Sequence, residues 1–296
     1  NDIVLGFDNV HDYLKADYLQ DYPYFGAAIG RHANRIKNAA FILDGSNIQL
    51  TKNSATNQLH GGWDGFDKKV WEMESFDEEN NFIELSCFSA DGEEGFPGNV
   101  KVRLNFELTD DGDIIYSYSA ATDKPTIVNL THHSYFNLNN GKGTIDEHEL
   151  KIYSDKILEQ DKDLNPTGNF IAVDNTKFDF REFRTIHAEE NDGYDQSFVL
   201  DKEKGAMTLA AEIQSKQTGL KMQVITTEPV IHLYTAQGLK KMLGKNDTEY
   251  GPYSGLCLET QVHPNAVNIP TFPNTILKPE ETYHHKTIYK LCLPEK

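Results

Sequence analysis

Val100-Lys101-Val102-Arg103-Leu104-Asn105-Phe106-Glu107-Leu108 alternates apolar and polar side chains without a break. Successive side chains of a strand leave on opposite faces, so this period of two predicts a half-buried antiparallel strand. Asp111-Gly112 follows, and a second alternation runs through Tyr116, Tyr118 and Ala120. An Asp-Gly pair between two such runs predicts a hairpin. The same period recurs at Ile83, Leu85 and Cys87, at Leu220, Met222 and Val224, and at Thr287, Tyr289 and Leu291. Asp44-Gly45, Asp91-Gly92, Asn140-Gly141 and Asn165-Pro166-Thr167-Gly168 supply turn signals between them. Helical periodicity is scarce, and short helical turns are expected only over Lys151 to Gln160 and Arg181 to Glu190. Asp2 to Phe7 reads as a strand. The expectation is an all-β chain, folded as a large antiparallel sandwich or barrel. A βαβ plan is disfavoured because its intervening helices are missing.

The chain has 296 residues, 38% of them hydrophobic, and a formal net charge of −18. That is ample for a large core, and all-β chains of this size often form one domain. The acidic surface repels phosphate backbones, so nucleic acid is not an expected partner, and neither is an anionic membrane. A neutral substrate is untroubled by the same field. The three cysteines, Cys87, Cys257 and Cys292, form no CxxC pair and sit in apolar runs. Buried thiols are expected, not a disulfide framework or a zinc knuckle. No run approaches the ~18 apolar residues of a membrane span. There is no GxGxxG and no phosphate-binding loop, so no nucleotide cofactor is expected. The first residue is Asn1 and no signal peptide is visible. A cytoplasmic protein is expected, or a periplasmic or exported one if a signal has been removed.

Five stretches could carry chemistry. Asn129 to Leu138 (NLTHHSYFNL) holds adjacent His132 and His133, which a strand sends to opposite faces. Gly30 to Ile36 (GRHANRI) places Asn34 beside Arg35, whose five donors suit sugar hydroxyls or a carboxylate. Asn57 to Gly62 (NQLHGG) ends in His60 before two glycines, at a bend from which it could reach into a cleft. Asp192 to Leu200 (DGYDQSFVL) sets Asp195 at the start of an apolar run. Gly255 to Ala266 (GLCLETQVHPNA) sets Glu259 within a strand, where an unpaired acid is rare, and it is the best candidate for a general base. Each also has a structural reading: a packed histidine, a surface ion pair, or a turn cap. A zinc site competes weakly, since HExxH is absent and neither His132-His133 nor His284-His285 can converge on one ion from a regular strand.

In order along the chain, VLGFD (4–8), PYFGAAIGRHANRI (23–36), LDG (43–45), NQLHGGWDGFDKKVW (57–71), DGEEGFPGN (91–99), NLTHHSYFNL (129–138), GYDQSFVL (193–200) and LETQVHPNAVN (258–268) resemble the galactose mutarotase (aldose 1-epimerase) family. The resemblance implies a galactose-mutarotase-like β-supersandwich of antiparallel sheets, with the site in a cleft on its concave face. It implies a single domain over 1–296, without the family's first N-terminal strands before VLGFD. The implied activity is interconversion of the α and β anomers of a free aldohexose such as galactose or glucose. No cofactor and no metal are implied, and the chain would be a monomer or homodimer. The family's base falls on Glu259, its acid on His133 and its assisting histidine on His60. The sugar-binding residues fall on Arg35, Asn34 and Asp195, and His232 takes the place where the family often has Gln. The rival readings are a hexose-6-phosphate 1-epimerase, a non-catalytic sugar-binding protein on the same fold, and a glycosidase using Glu259 and Asp195.

Overall fold

A computed structural model describes residues 2–187, 190 and 192–292. Two antiparallel sheets dominate. The larger has nine strands, in the spatial order Arg184–Thr185, Glu149–Ile152, Thr208–Gln214, Lys221–Thr226, Tyr283–Cys292, Ile114–Thr122, Val100–Leu108, Phe82–Ser89 and Glu72–Asp77. The smaller has five: Pro166–Ala172, Lys156–Gln160, Asp195–Val199, Val230–Tyr234 and Cys257–Gln261. Val100–Leu108 pairs along its whole length with Ile114–Thr122, closing the expected hairpin. Asp44-Gly45 likewise closes a hairpin between Ala40–Leu43 and Ser46–Gln49, with φ of 48° and 78°.

The two sheets share one core. Val102, Leu104, Tyr118, Ala120, Met222, Val224 and Tyr289 from the larger pack with Phe198, Ile231, Leu233 and Leu258 from the smaller, all buried. Removing this apolar surface from water, at roughly 25 cal/mol per Å², is the main term holding the layers together. Polar groups between the sheets are paired: Thr260 Oγ1 lies 3.0 Å from His285 Nε2, and Thr226 Oγ1 lies 2.9 Å from Thr287 Oγ1.

Four expectations need correction. Residues 151–160 hold the strands Glu149–Ile152 and Lys156–Gln160, not helical turns. Arg184–Thr185 is also a strand, while 188 and 189 lie outside the described residues. Asn165-Pro166-Thr167-Gly168 is not a turn, because a strand begins at Pro166 and the chain reverses just before it. Asp2 to Phe7 forms no regular strand; it runs alongside residues 135–137, held by Leu5 N–H to Tyr135 O (2.9 Å) and Asn137 N–H to Ile3 O (2.8 Å). A short α-helix, Ala16–Asp21, was not foreseen.

Where the chain passes from the larger sheet to the smaller, at Thr227 to Pro229, Glu228 is only 5% exposed. Burial raises its pKa from 4.5 to about 7, against the opposing charge of Lys202. Between those values the folded chain holds a proton that the unfolded chain has lost. Stability therefore falls as pH rises from 4.5 to 7, and the penalty is complete above 7. Glu228→Gln is expected to stabilise the fold by about 3 kcal/mol at pH 8, taking about 1.36 kcal/mol per pKa unit, and by little at pH 4. Urea unfolding at the two pH values checks this, and an equal change at both would contradict it.

Candidate active site

Three neighbouring strands of the smaller sheet carry a row of polar side chains. Ser197 stands opposite His232, and His232 opposite Glu259. The period of two puts Asp195 and Cys257 on the same outer face, since Phe198, Ile231, Leu233 and Leu258 already face the core. The strand Thr131–His133 packs beside this row, tied by Thr131 Oγ1 donating to Thr260 O at 2.8 Å. Its His133 reaches the row, with Nε2 3.6 Å from Glu259 Oε1 and Nδ1 3.4 Å from Cys257 Sγ. His132 leaves on the other side. Its ring stacks on Tyr116 at 3.9 Å between centroids, its Nδ1 lies 3.1 Å from the Tyr118 hydroxyl, and burial lowers its pKa to about 3. One histidine of the doublet is therefore a neutral, half-buried side chain packed against the larger sheet, and the other faces the cavity.

The facing wall comes from early in the chain. Arg35–Ile36 pairs with Gln58–Leu59, which brings Asn34 against His60. Both adopt left-handed backbone, with φ of 59° and 53°. His60 N–H donates to Asn34 O at 3.1 Å, and Asn34 N–H donates to His60 Nδ1 at 3.2 Å. Gly61 makes this corner possible: φ is 90°, and a Cβ there would lie 1.9 Å from Gly30 O. Because Nδ1 accepts a backbone N–H, the neutral His60 ring carries its proton on Nε2. Burial, with the nearby charges of His133, Arg35 and His232, holds its pKa well below the usual 6.5. At neutral pH His60 is thus an uncharged donor. Its ring meets that of His133 edge-on, 5.3 Å between centroids, and Tyr24 closes over both.

On the other flank, Asp195 Oδ1 lies 2.9 Å from His232 Nε2, and its Oδ2 is 3.9 Å from Arg35 Nη2. Burial would raise the Asp195 pKa, but the hydrogen bond and charge of His232, with Arg35, outweigh it and bring the pKa below the usual value. Glu259 is 2% exposed, and its Oε2 has no hydrogen-bond partner. Burial and the neighbouring Glu259 push the Cys257 thiol well up, so it stays protonated beside His133.

Glu259, His133, His60, Arg35, Asn34, Asp195 and His232 all line one cavity of about 230 Å³. Arg31 does not join them: its guanidinium is buried against Ser89, Ala90 and Pro97. Sequence reasoning passed over Tyr24, Tyr234 and Lys240, which also line the cavity, and Cys257, which touches His133 beneath it. For Cys257 a signal existed, since a residue two before Glu259 in a strand shares its face. Ligand atoms of His60, His133 and Glu259 lie within 4.8 Å of one another. A cation would need a lone pair from each histidine, and the protonated Nε2 of His60 offers none. The set suits proton transfer better than metal ligation.

A sequence model of the aldose 1-epimerase family matches residues 1–290. The galactose mutarotase of Sus scrofa is 43% identical over 97% of this chain and 83% of its own length. The aldose 1-epimerase of Escherichia coli K12 is 35% identical over 92% and 81%. Among solved structures, the aldose epimerase homologue of C. elegans superposes with a TM-score of 0.90 at 30% identity, covering 100% of this chain and 89% of that one. The galactose 1-epimerase of Lactobacillus acidophilus gives 0.83 at 26%, covering 99% and 86%. The β-rich architecture is the galactose-mutarotase-like fold.

Proposed function

The chain belongs to the aldose 1-epimerase family and is an isomerase of the mutarotase kind; we propose that it interconverts the α and β anomers of free aldohexoses, galactose and glucose among them, with Glu259 as base and His133 as acid. The observation that carries the assignment of roles is the pair itself: a buried carboxylate with one unpartnered oxygen, 3.6 Å from the Nε2 of a buried imidazole.

Anomer exchange opens and recloses the ring. A base takes the proton of the anomeric hydroxyl, and an acid protonates the ring oxygen as its bond to C1 breaks. Both oxygens are bonded to C1, so acid and base must stand side by side, as His133 and Glu259 do. His60, neutral with Nε2–H pointing inward, stabilises the charge growing on the ring oxygen without supplying a proton. Rotation of the aldehyde then lets the ring close on either face with the two roles exchanged. Arg35, Asn34 and Asp195 hold the remaining hydroxyls. The chain acts as one domain. Its cysteines form no disulfide among the described residues, which suits a reducing compartment. No described helix is long and apolar enough to cross a membrane.

The rival readings fare worse. A phosphorylated sugar would call for extra cations in the cavity. Arg31 is turned away, Lys37 pairs with Asp161, and Lys69 pairs with Glu93. Arg35 and Lys240 are the cationic residues of the described lining. A glycosidase pair needs carboxylates roughly 5 to 9.5 Å apart across the scissile bond. Asp195 and Glu259 sit on strands separated by a third, about 9–10 Å between backbones, and Asp195 is engaged with His232.

Polarimetry of freshly dissolved α-galactose and α-glucose tests the proposal. The protein is expected to speed the approach to anomeric equilibrium for both. Only the uncatalysed rate with either sugar, or acceleration confined to glucose 6-phosphate, would overturn it.

A further inference from the structure

A second cavity, of about 690 Å³, opens where the chain crosses from the larger sheet to the smaller, and it shares no lining residue with the first. Its volume lies within the range of about 300–1,000 Å³ typical of small-molecule sites. Val128, Val262 and Leu277 make much of its wall apolar, and three polar side chains interrupt that wall. Glu228 is 5% exposed, and the one hydrogen bond to its carboxyl is long, 3.4 Å from Thr227 Oγ1. Lys202 is half-buried and spends one of its three Nζ donors on Thr226 O. Thr275 is 5% exposed, and its Oγ1 has no partner. We propose that this cavity is a second small-molecule site, and that its ligand is a free α-amino acid with an apolar side chain.

The argument starts from two opposite charges that line one cavity and do not pair. Glu228 and Lys202 feel each other's charge, yet they form no ion pair, with each other or with any other described residue. Both pay for burial: Glu228 is raised to about 7 and Lys202 lowered to about 8. A buried charge is costly until an opposite charge and hydrogen bonds meet it. A zwitterion supplies both at once. Its ammonium donates to Glu228, and its carboxylate accepts from the donors left on Lys202. Thr275 Oγ1 can serve either group, since a hydroxyl both donates and accepts. The side chain of the amino acid then covers Val128, Val262 and Leu277. A sugar carries no charge to meet either residue. A simple amine would leave Lys202 unmatched, and a simple acid would leave Glu228 unmatched. The remaining charged residues of the lining, Glu203, Lys204 and Glu281, are exposed at the rim, where an ion pair is worth little.

Calorimetry near pH 7.5 tests this with phenylalanine and leucine as probes. Phenethylamine and hydrocinnamate serve as controls, each lacking one of the two charges. Both amino acids are expected to bind with Kd of about 1 mM or tighter, and each control about tenfold more weakly, for the loss of one charged hydrogen bond. Glu228→Gln, which is not expected to destabilise the fold, weakens phenylalanine about tenfold and leaves hydrocinnamate unchanged. Lys202→Met weakens phenylalanine to a similar extent and leaves phenethylamine unchanged. Saturating galactose leaves the Kd of phenylalanine as it was, because the two cavities have no residue in common. Four results would each overturn the proposal: no binding of either amino acid at about 10 mM, ten times the expected Kd; controls that bind as tightly as phenylalanine; binding indifferent to Glu228→Gln; or displacement of phenylalanine by galactose. The first three leave the mutarotase reading untouched, and the fourth would place the amino acid in the sugar cavity instead.

Discussion

Glu259→Gln lowers kcat for α-galactose by about 10³-fold, within the 10²–10⁴ that one positioned general base contributes, and changes KM by only about twofold. Gln matches the shape and hydrogen-bonding reach of Glu but cannot take a proton. The replacement sits in a strand whose main-chain pairing to Val230–Tyr234 is untouched. Because Glu259 Oε2 has no partner, the amide displaces no existing bond there. Burying an uncharged amide also costs less than burying a carboxylate, so the fold is not expected to melt earlier. Polarimetric rates at saturating sugar, set beside thermal melting of both proteins, measure this. A variant keeping more than about a tenth of wild-type kcat would remove Glu259 from the role of base.

The second large effect separates the two cavity histidines. His133→Asn is expected to cost about 10²- to 10³-fold in kcat, because the acid is gone. His60→Gln costs less, about tenfold. His60 is already neutral and gives only a hydrogen bond, which an amide N–H can replace in part. The polarimetric kcat of each variant at saturating sugar decides between them. If His60→Gln cost more than His133→Asn, the roles of acid and neutral donor would be exchanged.

The strands were legible wherever one face meets the core and the other meets water. Val100–Leu108 shows it most plainly, with Val102 and Leu104 buried and Lys101 and Arg103 exposed. The opposed fates of His132 and His133 follow from the same period. Residues 151–160 misled because charged Lys151, Asp155, Lys156 and Glu159 break up the apolar Ile152, Ile157 and Leu158 at spacings that mimic a helix. In the fold that interval is the end of one strand, a crossing from the larger sheet to the smaller, and the start of another. Gln160 then pairs with Pro166, so the turn lies ahead of Pro166 and not at it. For the site, residue types and local runs suggested candidates, but not which of them are neighbours. Pairing of Ala27 with His133, and of Arg35 with Leu59, are long-range facts of strand order. The partners of His232 were illegible for a similar reason. Ser197 reaches it across the sheet and Asp195 along a diagonal, and no spacing in the sequence encodes either contact.

The cavity takes its walls from residues as far apart in the chain as Asn34 and Glu259. Contacts this distant must close long loops before they are rewarded, which slows folding. On a ribosome the early wall, with Asn34 and His60, emerges well before the strand that carries Glu259 and can only wait for it. Turnover of sugar should therefore be among the last native properties to return on refolding, after the hairpins of the larger sheet have formed. The anomerase rate would then serve as a clock for completion of the whole chain, where circular dichroism would report only the sheets.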